Sequence, residues 1–230
     1  MSRVTLLMSL GLAAFITGMP LSVRAQEWGG GLHLVTAHII RDSRRSGPAL
    51  QPSAWVDVRP VRTLVSAWSS IRLRNPRIDD LVLDTRTGVP LGSWGWIGGT
   101  VHWDWTLPRS DSLASHSLEM GALFSWFTPP YRPTLLVSYD LINRDGLLAV
   151  ISIPYTVRLS WMPPVTFIPE FGIRAGGEYD PVGLQYMSFT ALIERRLGWL
   201  TVIPIAGVVP RGTNIREWLV WGGLHLGAIR

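Results

Sequence analysis

The chain has 230 residues, a formal net charge of +5 and no cysteine. Without cysteine it can form neither a disulfide nor a thiolate metal site. Its basic residues are all arginine, and they are scattered along the chain with no basic stripe and no nucleic-acid motif. The composition therefore gives no reason to expect a nucleic-acid partner.

The N-terminal residues have the organisation of a secretory signal peptide. Arg3 gives a positive start, an apolar run follows over 4–14, and Val23-Arg24-Ala25 resembles a cleavage site. The alternative is an N-terminal membrane anchor, which the short apolar run and Pro20 disfavour. The sequence predicts a signal peptide over 1–25 and a single domain over 26–230.

Beyond Trp28 the sequence alternates between polar and apolar side chains. In the stretch 95–105 one parity carries Thr100, His102 and Asp104, and the other carries Val101 and Trp103. Because successive side chains of a strand point to opposite faces, this stretch predicts a strand with one polar and one apolar face. After 1–25 no run of about 18 apolar residues occurs, so no transmembrane helix is predicted.

The alternation repeats along the chain and predicts an all-β fold. The predicted fold is a single antiparallel transmembrane β-barrel of about twelve strands, with ten to fourteen compatible. The abundant tryptophans suit the aromatic girdles of such a barrel. The predicted strands are 28–41, 50–59, 62–73, 79–85, 94–107, 115–127, 133–141, 147–160, 165–178, 184–196, 199–208 and 216–229.

The predicted connections differ in length at the two ends of the barrel. Tight connections follow the second and tenth strands, and longer or more polar ones follow the first, fifth, ninth and eleventh, the last over 209–215. Short periplasmic turns alternating with longer external loops are typical of outer-membrane barrels. The stretch 86–93 is an exception, since it is long where a short turn is expected.

Charged residues of the polar parity are expected to face the lumen, because an arginine facing lipid near the bilayer midplane costs about 2–4 kcal/mol. One interpretation of this mixed-sign set is a constriction that selects solutes, and the other is an ion-pair network that fills a narrow lumen. The candidates are Asp57, Arg59, Arg72, His102, Asp104, Glu119, Asp140, Arg158, Glu170, Arg174 and Glu194.

Catalytic and metal-binding patterns are weak. In Ser115-His116-Ser117 neighbouring side chains would lie on opposite strand faces, and no G-x-S-x-G motif occurs. His33 and His38 differ in parity, which makes a poor metal pair. The sequence predicts no catalytic residues, no metal site and no cofactor.

Short segments of the chain resemble the TorF-type porin family of uncharacterised outer-membrane β-barrels. The resemblance rests on Val35-Thr36-Ala37-His38, the segment 47–52 and Val65-Ser66-Ala67-Trp68, with weaker matches at Ser117-Leu118-Glu119 and Ser138-Tyr139-Asp140. It departs at Thr36, at Asp42 and in the absence of a terminal aromatic residue. The resemblance implies a barrel with passive transport and transfers no catalytic residue.

The sequence thus predicts an outer-membrane β-barrel of a Gram-negative-type bacterium, acting as a small porin or as a structural barrel with a mixed-charge lumen. Its expected partners are the lipid bilayer and small polar solutes. The alternatives are a barrel-embedded lipid hydrolase and a soluble exported β-barrel or sandwich that binds an apolar ligand. Parity alone does not separate these, because in a soluble barrel the apolar face would point inward.

Overall fold

The structure is a computed structural model that describes residues 27–40, 43–58, 62–107, 115–127, 131–142, 146–175, 183–211 and 214–229. These residues are almost entirely in antiparallel strands and the turns between them. The strands are β1 (Glu27–Val35), β2 (His38–Ile40), β3 (Ser43–Ser46), β4 (Ala49–Val58), β5 (Thr63–Arg72), β6 (Arg77–Leu91), β7 (Gly95–Thr106), β8 (Ser115–Trp126), β9 (Thr134–Asp140), β10 (Leu147–Ser152), β11 (Tyr155–Val157), β12 (Val165–Ala175), β13 (Gly183–Ile193), β14 (Arg195–Leu197), β15 (Leu200–Arg211) and β16 (Asn214–Ile229).

The strands form a closed barrel of 12 strands, which confirms the predicted fold. Each strand of the barrel pairs with its neighbours in sequence, and β1 pairs with β16 to join the two ends of the sheet. β11 continues β10 along β12, and β14 continues β13 along β15, so each of these pairs counts as one strand of the barrel. Closure removes the exposed strand edges that an open sheet would leave.

The alternation in the sequence becomes a difference between the two faces of the barrel. Residues paired across neighbouring strands point to the same face. The register therefore shows, strand by strand around the barrel, which residues share the inner face and which share the outer face. Large apolar side chains such as Trp28, Met120 and Phe167 are exposed, whereas Glu119 and Ser138 of the opposite parity are buried. The apolar set therefore covers the outside, and the polar set faces the interior.

The fourth predicted strand, 79–85, proves too short. β6 extends from Arg77 to Leu91 and pairs with β7 over nearly its whole length. The turn to β7 is short, and Gly92 has a φ of +62° there, a conformation that glycine adopts without steric cost. The long connection predicted over 86–93 is thus wrong, because most of it is strand.

The first and last external connections also differ from the prediction. The first predicted strand, 28–41, divides into β1 and β2, and β2 pairs with β3 in a separate hairpin. At the other end of the chain, β15 continues to Arg211 and β16 begins at Asn214, so the predicted loop over 209–215 is mostly strand. Connection length therefore alternates less regularly than the sequence indicated.

Two predicted strands are interrupted. Ile153 and Pro154 separate β10 from β11, since proline cannot donate to the ladder. Glu194 separates β13 from β14. The predicted signal peptide over 1–25 lies outside the described residues, as do most of the predicted connections over 59–62, 108–114, 128–132, 143–146 and 179–183. In the described ranges no helix is long and apolar enough to cross a membrane.

Candidate functional site: the inner face of the barrel

A row of charged side chains crosses the inner face of four neighbouring strands. The register aligns Asp84 of β6 with His102 of β7, His102 with Glu119 of β8, and Glu119 with Asp140 of β9. We call these four residues the acidic row. Side chains paired in this way lie about 4.5–5.5 Å apart at Cβ, so their charges interact directly.

Hydrogen bonds hold the acidic row in place. Nδ1 of His102 lies 2.7 Å from Oδ1 of Asp84, and Ser138 Oγ donates to Glu119 Oε2 at 3.1 Å. Glu119 and Asp140 are buried, whereas His102 is a third exposed. Asp104 lies on the same face two residues beyond His102 and adds a further carboxylate.

A bulge in β6 places a second charged group beside the row. Ser70 pairs with Asp80 and Ile71 pairs with Ile78, so Asp79 is the extra residue of β6. Asp79 and Asp80 are consequently both buried, although they are adjacent in sequence. Arg72 donates to Asp79 from Nη2 at 3.0 Å, and Arg77 Nε donates to the same carboxylate at 3.1 Å.

The remaining predicted lumen residues are distributed around the barrel. Glu170 and Arg174 lie on the inner face of β12, and Ser188 Oγ donates to Glu170 Oε2 at 3.1 Å. Arg174 is buried. It pairs with Leu148 of β10, which in turn pairs with Ser138 of β9, so Arg174 and Ser138 lie on the same face of the sheet. Asp57 faces inward near the end of β4.

Three further predicted residues lie outside the strands or outside the described residues. Glu194 is exposed between β13 and β14 and accepts a hydrogen bond from Arg196 Nε at 2.8 Å. Arg158 is exposed just beyond β11, because the strand ends at Val157 and not at the predicted position 160. Arg59 lies outside the described residues.

The opposite side of the interior has a different chemistry. In the ring of strands, β13, β15, β16 and β1 lie across from β6, β7, β8 and β9. Glycines recur on the inner face of β1, β15 and β16, and we call them the glycine-rich wall: Gly29, Gly31, Gly207, Gly223 and Gly227.

Aromatic rings lie close to most of these glycines. A Cβ on Gly207 would meet the Trp221 ring at 2.6 Å, and one on Gly29 would meet the Trp55 ring at 2.7 Å. On the opposite side of the barrel, Trp96 covers Gly88 and Gly98 of the β6–β7 pair in the same manner. Glycine inside a strand often marks such close approach. The rings therefore lie along the inner face and project less into the interior. These three tryptophans face inward, so they are not part of the aromatic girdles that the sequence suggested for the tryptophans.

A cavity opens on the inner face at the end of the barrel where β4 ends and β5 begins. Its volume is about 730 Å³, and we call it the vestibule. It contains charges of both signs beside apolar side chains, and it includes the predicted residue Asp57. The lining residues are Asp57, Arg62, Leu64, Arg86, Pro90, Trp96, Leu123, Ser125 and Phe127.

Several inner residues were missed by the sequence analysis. Asp80 and Asp84 lie in the predicted strand 79–85 but were not named as lumen candidates, and Arg86 was assigned to a connection; all three belong to β6. Their alternation with Leu81, Leu83 and Thr85 was a usable signal. The bulge at Asp79 adds one residue to β6, so the residues before it alternate out of step with those after it. The two ends of β6 therefore do not fit one alternating pattern.

The inner face gathers carboxylates that can attract cations, and its hydroxyl and imidazole groups do not contact each other. In the acidic row His102 contacts Asp84, and Ser138 contacts Glu119, so the hydroxyl and the imidazole are held by different carboxylates. Among the described residues no three or more histidine, aspartate or glutamate side chains are grouped to hold a metal ion.

Comparison with known proteins identifies the fold alone. No family model matches the sequence, and no curated protein does either. The chain is similar to the translocator domain of autotransporter NalP from Neisseria meningitidis, with a TM-score of 0.51 and 10% sequence identity. The match covers 97% of this chain and 94% of that one. The similarity therefore extends over the whole barrel. At 10% identity it supports the fold and assigns no role to any residue of this chain.

Proposed function

We propose that the chain is an outer-membrane β-barrel whose interior forms a narrow, cation-preferring passage. The acidic row carries this proposal, since it sets three carboxylates and one histidine side by side across four strands. Rings of acidic side chains favour cations in membrane pores.

The outer surface supports a location in a membrane. Exposed apolar side chains occur on strands all around the barrel, among them Leu32, Ile97, Tyr139, Phe189 and Leu226. A soluble monomer rarely exposes contiguous apolar surface of more than a few hundred Å². An apolar outer surface on a barrel that resembles a bacterial translocator domain supports a place in the outer membrane.

The narrowness of the passage follows from burial. Asp80 is fully buried, and Glu119 and Asp140 are 6% and 4% exposed, so side chains fill much of the space along β6, β8 and β9. The glycine-rich wall leaves more room on the opposite side. A passage between the two would admit small ions and exclude larger solutes.

Burial also favours a second candidate, a sealed structural barrel. In that case the acidic row and the Arg72–Asp79 pair would be a structural network, and no passage would open. The same membrane location would hold, but the protein would not conduct.

Conductance separates these two candidates. The tag-free chain, refolded into planar lipid bilayers, should produce small single-channel currents, with a reversal potential under a KCl gradient that has the sign of K⁺ selectivity. The absence of single-channel currents in repeated reconstitutions would support the sealed barrel. Anion selectivity would contradict the role given to the acidic row.

Variants test which residues set the selectivity. Glu119→Gln and Asp104→Asn should each move the reversal potential towards zero, because each removes a negative charge from the inner face. Glu194→Gln is a matched control, since its carboxylate lies outside the row, paired with Arg196. An equal shift in Glu119→Gln and Glu194→Gln would show that the acidic row has no special role.

The membrane location needs its own test. Cell fractionation should place the protein in the outer membrane, and the folded barrel should migrate differently from the heated chain on a gel. Recovery in the aqueous fraction would overturn the proposal and favour a soluble barrel.

A further inference from the structure

We propose that His33 and His225 form a transition-metal site that joins the first and last strands of the barrel. The two residues are register partners between β1 and β16. Their ring centres lie 4.0 Å apart, with the ring planes at 53°. Because metal–nitrogen bonds are about 2.0–2.1 Å, two imidazoles this close can share one ion after small side-chain rotations.

The position of His225 is fixed by two glycines. Gly31 and Gly227 are register partners one step along the same face, and the His225 ring lies over both. A Cβ on Gly227 would approach His225 Nε2 at 2.6 Å, and a Cβ on Gly31 would also clash with the ring. The backbone thus leaves space for the imidazole in one particular place, as a preorganised ligand requires.

His225 also has an unused polar atom. Its Nδ1 is buried and makes no hydrogen bond within the described residues. A buried nitrogen without a partner is costly unless another group binds it. A metal ion would satisfy this nitrogen.

Space for the rest of the coordination shell lies beside the ring. His225 lines a cavity of about 250 Å³ together with Ser53, Glu194 and Thr201. The described residues contain no group of three or more candidate ligands. The proposed protein ligands are the two histidines, and water from the cavity beside His225 would complete the shell.

The ligand set indicates which ion binds. Imidazole suits Cu²⁺, Ni²⁺ and Zn²⁺, and affinity for divalent ions of the first transition row is highest for Cu²⁺. Mg²⁺ and Ca²⁺ prefer oxygen ligands and should not compete. The bound ion would link β1 to β16, the strand pair that closes the barrel.

Copper titration of the folded, tag-free chain tests the proposal. Calorimetry at neutral pH should show one Cu²⁺ bound per chain, and electron paramagnetic resonance should show coordination by two nitrogens. Cu²⁺ should displace bound Zn²⁺ from the site, and excess Mg²⁺ should not displace the copper. Because the ion binds the folded state, the unfolding temperature should rise with copper concentration. Absence of stoichiometric binding would overturn the proposal.

Substitutions locate the site. His33→Gln and His225→Gln should each weaken Cu²⁺ binding at least tenfold, while His116→Gln on the outer face should not. Gly227→Ala keeps both ligands but displaces the His225 ring, so it should also weaken binding. Heat-modifiable gel migration establishes that each variant is folded. Binding that survives His225→Gln, or that is lost in His102→Gln and not in His33→Gln, would contradict the assignment.

Discussion

Arg72 and Asp79 form a two-point ion pair across a β-bulge. Arg72 Nη2 and Nε donate to the two carboxylate oxygens of Asp79 at 3.0 and 3.2 Å, and Arg77 donates to one of the same oxygens. The bulge turns Asp79 towards the interior, where only 4% of its side chain is exposed. Local irregularity in β6 therefore creates a charged anchor beside the turn of the β5–β6 hairpin.

Removal of Asp79 should destabilise the barrel. Asp79→Ala leaves two arginines without their shared carboxylate; because both arginines stay partly exposed to solvent, the loss should be about 1–3 kcal/mol, below that of a fully buried pair. The free energy of unfolding, measured with urea in lipid bilayers, should fall by an amount of this order. Arg196→Ala breaks the exposed pair with Glu194 and should cost only about 0–1 kcal/mol. Equal losses in the two variants would show that Asp79 is not a buried anchor.

Gly98 should not tolerate a side chain. A Cβ at this position would clash with the carbonyl oxygen of Thr87 and with the Trp96 ring. Overpacking of this kind costs about 1–3 kcal/mol, so Gly98→Ala should lower the free energy of unfolding by that amount. Gly99→Ala is the matched control, because its Cβ would meet no heavy atom nearer than 3.8 Å. If Gly98→Ala is as stable as Gly99→Ala, Trp96 does not lie on Gly98.

Met120 should face lipid. It is half exposed in the middle of β8, on the face opposite Glu119. Met120→Arg would place a charge at lipid depth, at a cost of about 2–4 kcal/mol in bilayers. Trp199→Arg, in the turn between β14 and β15, should cost far less because it lies at the barrel end. A neutral Met120→Arg in the same unfolding assay would be inconsistent with a lipid-facing outer surface.

Ser138 should contribute to stability through Glu119. Its hydroxyl donates to a carboxylate that is 6% exposed. Loss of a donor to a buried acceptor costs about 1–3 kcal/mol, which is the decrease expected for Ser138→Ala. Ser69→Ala on the outward parity of β5 should change the free energy of unfolding little. An undiminished stability of Ser138→Ala would mean that Glu119 is satisfied without this hydroxyl.

The sequence predicted the fold and the faces of the strands because alternation is a local property. Parity alone grouped Asp57, His102, Asp104 and Glu119 with the polar face of their strands, and the register places all four on one face of the sheet. The prediction failed where the pattern was broken or absent. Asp79 and Asp80 share a face because of the bulge, and Arg158 lies beyond the end of its strand.

The pairing between distant strands could not be predicted. His33 and His225 are at opposite ends of the sequence, and only closure of the barrel brings their rings to 4.0 Å. The same closure places the glycine-rich wall across from the acidic row. Neither relationship leaves a periodic signal in the chain, because each depends on the order and register of strands around the ring.

The amino-acid sequence by itself determined that the chain forms two-faced strands with apolar side chains on one side and charges on the other. The tertiary structure decided which charges become neighbours, since register aligns Asp84, His102, Glu119 and Asp140 across four strands. The physical reason is that side-chain parity is fixed by the backbone within each strand, whereas register is fixed by hydrogen bonds between strands.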